Sequence, residues 1–186
     1  MSTFLPPIER PRRWSIKLLY YISKRKYGKV MTGLKVNSAR MPFSFTMFYG
    51  RVSQLDKKLV LPAELVLLIR QHVAQLNICT FCMDISRYKA IKASFSIDKF
   101  DELHKYSFSS LFDEREVTAL DYATELTTKR QPSPDTFARL ARHFSEREIV
   151  EIVHVVATEH LYNLSNLGLN IHSDMLCDIS KLQKTS

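Results

Sequence analysis

From Pro62 onward the chain sets apolar side chains at intervals of three and four, the spacing that places them on one face of an α-helix. In "LPAELVLLIRQHVAQLN" the residues Leu65, Leu68, Ile69, Val73 and Leu76 form such a face, with Pro62 near its start. Only four glycines occur in 186 residues, too few for the many turns of a β-sandwich, so the expectation is an all-α chain. Further helices are marked by their ends. "CTFCMDISRYKAIKAS" opens one at its cysteines, and "SIDKFDELHKY" reads as a short helix capped by Ser96. "SLFDEREVTALDYATELTTKR" carries acids in its first turn and Lys129 and Arg130 in its last, as the helix dipole favours. Ser133 followed by Pro134 starts the next. Ser145-x-x-Glu148 is a capping box for a last long helix, whose Ile149, Ile152, Val153, Val156, Leu161 and Leu164 are expected to form a buried stripe. Upstream, 14–26 has the pattern of an amphipathic helix and 41–55 of an aromatic helix or buried segment.

The charge is uneven. The net +8 lies within residues 1–35, where Arg10, Arg12, Arg13, Lys17, Lys24, Arg25, Lys26, Lys29 and Lys35 face only Glu9. This divides the chain into a basic N-terminal arm, 1–40, with one helix, and a helical domain, 41–186. The arm carries no RNA- or DNA-binding motif, so nucleic acid is not the expected partner. Its Trp14, Tyr20 and Tyr21 among basic residues suit a membrane surface or a neighbouring subunit. The apolar part of "WSIKLLYYISKRK" is short, closed by basic residues and without a small-residue cleavage site, unlike a secretory signal. No run approaches the ~20 apolar residues of a membrane span. Three cysteines do not make a secreted disulfide framework, and a cytoplasmic location follows as the expectation.

Two of those cysteines, Cys79 and Cys82, stand three apart in "LNICTFCMDIS". The spacing admits three readings. A CxxC at the head of a helix can form a disulfide, and the free N–H groups there favour a thiolate. One thiol then attacks and the other resolves; Cys79 is the attacking thiol if it is the more exposed, and otherwise the roles reverse. A structural zinc site needs four ligands, and no second CxxC or HxxxH is present; only folding, not spacing, could bring His72, His154 and His160 together. The third reading is a buried inert pair. No metal and no cofactor is expected.

The stretch "LPAELVLLIRQHVAQLNICTFCMDISRYKAIKA" resembles the core of the carboxymuconolactone decarboxylase-like family, and within it the alkylhydroperoxidase D-like (AhpD-like) branch, whose members typically read V-A-x-L-N-G-C-x-x-C. Val73, Ala74, Leu76, Asn77, Cys79 and Cys82 match that run. The likeness continues through "LFDEREVTALDYATELT" and "FSEREIVEIVHVVATEHLYNLSNLGL" and covers about 59–172, leaving 1–40 outside. It implies an all-helical fold built round a helical hairpin, assembly into trimers or hexamers, and thiol-dependent reduction of a hydroperoxide or disulfide with electrons from a donor the sequence does not identify. The resemblance also implies a proton relay, a Glu twelve residues before the first cysteine and a His four after the second. Those positions hold Leu67 and Ser86, and a Leu side chain cannot relay a proton.

Substitutes for the relay are Glu64, His72, Asp84 and Glu159, with His160 and Asn163 beside the last. Each has a plain structural alternative: Glu64 as a first-turn carboxylate, His72 as a half-exposed helix residue, Asp84 as an early-turn acid, Glu159 and Asn163 as polar contacts between subunits. Asp84 as an anion beside a thiol would raise the cysteine pKa. The functional expectation is a CxxC thiol oxidoreductase or alkylhydroperoxidase-like protein with an altered relay. A non-enzymatic ligand-binding or sensory protein of the same fold is the alternative, and a small-molecule decarboxylase the third.

Overall fold

The structure is a computed structural model that describes residues 2–177, with the backbone alone at 44–46. The end of the expected helical domain, 178–186, lies outside the described residues. The structure is all-helical, with no strand among the described residues. The α-helices are α1 (Trp14–Tyr27), α2 (Gly50–Asp56), α3 (Ala63–Leu76), α4 (Thr80–Lys92), α5 (Ile97–Glu102), α6 (Glu114–Thr128), α7 (Pro134–His143) and α8 (Glu146–Leu167). Wider π-helical turns occupy Leu34–Ser38 and Ser44–Tyr49, and a 3-10 turn follows α5. None of these helices is long and apolar enough to cross a membrane.

Two compact units are formed. One is Leu59–Leu164; the other joins 2–58 to 165–177. In the first, α3 packs on α4 and α6, and α6 on α7. Leu65, Leu68, Ile69 and Val73 of α3 meet Ala119, Leu120 and Ala123 of α6, Leu140 of α7 and Ile149, Ile152, Val155 and Val156 of α8 in one apolar core. In the second unit α1 buries Ile16 and Tyr20 against Leu34. There Asp174 accepts bonds from the Thr32 backbone N–H and hydroxyl, both at 2.7 Å, and pairs with Lys29. This ties the segment after α8 to the segment after α1.

The helix ends follow the sequence closely. Ser133 accepts the Thr136 N–H with Pro134 in the first turn of α7. Ser145 and Glu148 exchange side-chain and backbone bonds at the head of α8. A second capping box, Asp113 with Glu116, starts α6. Ser96 occupies the N-cap of α5, but its side chain makes no cap bond; its N–H donates to Glu64 instead. The expected stripe on α8 is corrected in half of its members. Ile149, Ile152 and Val156 are buried, whereas Val153, Leu161 and Leu164 are exposed. The inward face of α8 is completed by Glu151, Thr158, Glu159 and Asn163.

Candidate active site

The joint between α3 and α4 is a Schellman motif with no spare residue. The Cys79 N–H bonds back to the Ala74 carbonyl (2.9 Å) and the Ile78 N–H to that of Gln75 (3.0 Å). The motif needs a left-handed residue between them, and Ile78 supplies it at φ 57°. Glycine is the usual occupant because a side chain there crowds the backbone, a β-branched one most of all. The residue after this turn, Cys79, is already the N-cap of α4. Closing one helix therefore delivers the first thiol to the head of the next.

Cys82 sits in the first turn of α4, its Cα 5.3 Å from that of Cys79, and the two are joined as a disulfide. Both lie where the unpaired N–H groups and dipole of α4 would stabilise a thiolate. Their exposures are 0% and 2%, so exposure does not select the attacking thiol.

Next to this turn runs a buried polar chain. Arg70 Nη1 donates to Glu159 Oε2 at 3.2 Å, both side chains almost wholly buried. The other Glu159 oxygen accepts from Asn163 Nδ2 at 2.7 Å. Asn163 Oδ1 accepts from Asn77 Nδ2 at 2.8 Å, and the same Asn77 nitrogen lies 3.3 Å from His160 Nδ1. His160 Nε2 reaches Thr127 Oγ1 at 3.1 Å. The amide of Asn77 has only hydrogens to give, so His160 Nδ1 is the acceptor and its proton is on Nε2. Burial pushes the Glu159 carboxyl above the ordinary range, against the pull of Arg70. Burial also lowers His160. The chain ends at Asn77, the C-cap of α3 and the second residue before Cys79.

His72 belongs to another neighbourhood. Two residues along a helix turn about 200°, so Arg70 faces α8 while His72 faces α6. The Thr124 hydroxyl donates to the Leu120 carbonyl, so His72 Nε2–H donates to Thr124 Oγ1, at 2.7 Å. Its Nδ1 is buried without a partner among the described residues, and its ring stands edge-on to Tyr106. Burial, only partly countered by Asp121, lowers its pKa to about 4.

The other sequence candidates are dispersed. Glu64 is in the first turn of α3, about 20 Å from the cysteine end at about 1.5 Å per residue, and accepts the Ser96 N–H. Asp84 is buried in α4 beyond Cys82. Ser86 is buried on the same helix, and Leu67 packs against the apolar core. Among the described residues no three His, Cys, Asp or Glu side chains are placed to hold a metal ion. Arg70 was not singled out from the sequence. Its signal was there, a lone cation inside "LVLLIRQHVAQL", which must find a buried partner if its neighbours face the core.

No family model matches the chain. The chain is 30% identical to YnjA, an uncharacterized protein of Escherichia coli K12, over 94% of its own length and 93% of that protein. Its fold is similar to that of the debrominase Bmp8, solved as a cysteine-to-alanine variant with 2,3,4-tribromopyrrole (TM-score 0.81, 20% identity, all of this chain and 99% of that one). It is also similar to an alkylhydroperoxidase AhpD core, an uncharacterized peroxidase-related protein from Ralstonia eutropha JMP134 (TM-score 0.72, 17% identity, 92% and 95%).

Proposed function

We propose that this chain, a relative of YnjA with the AhpD-like helical fold, belongs to the AhpD-like branch of the carboxymuconolactone decarboxylase-like family and is a thiol–disulfide oxidoreductase whose Cys79 and Cys82 cycle while reducing a small hydroperoxide or disulfide. The observation that carries this reading is the Cys79–Cys82 pair at disulfide distance in the first turn of α4. With a hydroperoxide, one thiolate attacks the terminal oxygen. The O–O bond breaks, a sulfenic acid forms, and the alkoxide takes up a proton and leaves as alcohol. The second thiol then attacks the sulfenic sulfur, releases water and closes the disulfide. A donor dithiol returns the two electrons by exchange.

Leu67 and Ser86 replace the relay that the family resemblance implies, so the alkoxide has no adjacent family acid. Proton supply falls to water, because the polar chain donates from Asn77 through Asn163 toward Glu159, away from the thiols, and its amides do not pass a proton on. Exchange with a disulfide needs only the two thiols, and is expected to be the faster of the two reactions.

The test is reduction of cumene hydroperoxide and of a small disulfide by the chain with dithiothreitol, alongside Cys79→Ser and Cys82→Ser. Loss of the attacking thiol abolishes both reactions. Loss of the resolving thiol leaves one turnover that stalls as sulfenic acid or mixed disulfide, which mass spectrometry identifies. Unchanged turnover in both variants would refute the proposal.

A second substrate class is favoured by the full-length similarity to Bmp8. The same dithiol can supply two electrons to a brominated pyrrole, giving the C–H product, bromide, a proton and the disulfide. Bromide release that requires both cysteines checks it.

A further inference from the structure

α1 carries apolar side chains on two opposite faces, where a surface helix needs them on one. Ile16 and Tyr20 turn inward against Leu34. The Tyr20 hydroxyl donates to the Ile8 carbonyl at 2.6 Å, and the Ser23 hydroxyl donates to the Lys29 carbonyl and accepts the Met31 N–H. These contacts fix which face looks out. On the outward face stand Trp14, Leu18, Tyr21 and Ile22, within about 100° of arc, each with between 48% and 78% of its surface exposed. Phe43, also exposed, lies under the Arg13 guanidinium at 5.6 Å and adds a ring beside the Trp14 end. A contiguous stripe of this kind marks a contact surface.

The rim of the stripe is cationic. Lys17 and Lys24 border one edge and Lys26 the other. Arg25 stands at the C-terminal end, and Arg10, Arg12 and Arg13 precede the start. All of these are exposed, and no acid occurs from residue 10 to residue 35. Lys29 and Lys35, by contrast, pair within the fold with Asp174 and Glu9. Helix stability does not account for the arginines. The dipole disfavours cations at a helix N-terminus, and Arg13 is the N-cap of α1 without a side-chain cap bond.

We propose that α1 docks in the plane of an anionic lipid surface. Trp14, Leu18, Tyr21 and Ile22 enter the boundary between headgroups and acyl chains, and the flanking Lys and Arg side chains meet lipid phosphates. Trp and Tyr rings suit that boundary, with an apolar body turned inward and a polar tip kept among the headgroups. No described helix is long and apolar enough to cross a membrane, and the other face of α1 is held in the fold, so the contact is peripheral. Charge selects this occupant over a second copy of the chain, since two α1 faces set together would oppose cations with cations. Each basic residue held near an anionic surface raises partitioning roughly fivefold. The inference is independent of the redox reading.

Trp14 is the single tryptophan of the chain, so its fluorescence reports on this stripe alone. With vesicles of phosphatidylglycerol and phosphatidylcholine in equal parts, the full chain is expected to co-sediment and the Trp14 emission to move to shorter wavelength. With phosphatidylcholine alone neither occurs. Added salt weakens the binding of the unaltered chain, a readout that needs no variant. Leu18→Glu with Ile22→Glu, and separately Lys17→Gln with Lys24→Gln, all at exposed positions, are each expected to weaken binding about tenfold or more. No emission shift with the anionic vesicles, equal binding to both lipid mixtures, or binding untouched by both pairs of substitutions would overturn the proposal. A Trp14 shift produced by concentrating the lipid-free chain, or by polyglutamate and not by vesicles, would assign the stripe to a second copy or to an acidic protein and overturn it as well.

Discussion

Arg70 on α3 and Glu159 on α8 form an ion pair with 5% and 4% of their side chains exposed, so each charge depends on the other for solvation. Removing one partner leaves the other stranded in the core, at about 3–5 kcal/mol. Arg70→Met and Glu159→Leu are each expected to lower the free energy of urea unfolding by that order. The double variant recovers part of the loss, since no charge is then left unpaired and only the Asn163 amide loses its acceptor. A double-mutant cycle with no coupling would contradict the pairing.

Ile78 holds φ 57° with 74% of its surface exposed, so little packing offsets the crowding of a β-branched side chain in the left-handed region. That crowding costs roughly 1–2 kcal/mol. Ile78→Gly is expected to stabilise the chain by about 1 kcal/mol in urea titrations, Schellman bonds intact. A destabilised variant would mean that Ile78 makes a contact outside this chain.

Asn77 donates to both Asn163 and His160 from one amide nitrogen. Asn77→Ala leaves the Asn163 acceptor unpaired in the core, a loss of about 1–3 kcal/mol. Asn77→Asp keeps the shape but sets a carboxylate against two acceptors and is expected to be the worse of the two at neutral pH. If Asn77 positions the thiol turn, both variants also shift the pH at which the reduced dithiol becomes reactive toward iodoacetamide. A purely structural role lowers stability and leaves that midpoint in place.

His72 is held neutral, its pKa lowered from the ordinary 6.5 to about 4. The unfolded chain binds a proton below about 6.5 that the folded chain refuses until about 4. The stability contributed by the neutral ring is therefore complete above 6.5 and is lost as the pH falls toward 4, by up to about 3 kcal/mol. His72→Phe should flatten the decline of urea midpoint across that window. An unchanged decline would place its origin elsewhere.

Much of this architecture can be read from residue types that act locally. Ser133 before Pro134, and Ser145 three before Glu148, mark helix starts because their bonds span only a few residues. The thiol pair is legible for the same reason, since three positions of separation fix how near two sulfurs can come. The long-range choices are not written this way. α8 carries apolar residues on two faces, and periodicity cannot say which turns inward when Glu159 and Asn163 are satisfied by Arg70 and Asn77 from another helix. Glu64 is near Leu67 in sequence, yet it faces the start of α5, because a helix that brings neighbours together also carries its ends apart. Arg70 and Thr124 acquire meaning only when their partners are in place.

The turn at Ile78 leaves no slack between two helices: the residue that finishes α3 also opens α4. A single insertion or deletion there would break the Schellman bonds that set the joint between α3 and α4, carrying the thiols away from the Asn77 end of the polar chain. The loop length at this point is thus a fixed gauge. Mutation can alter side chains around it, but a length change would cost the hairpin its alignment.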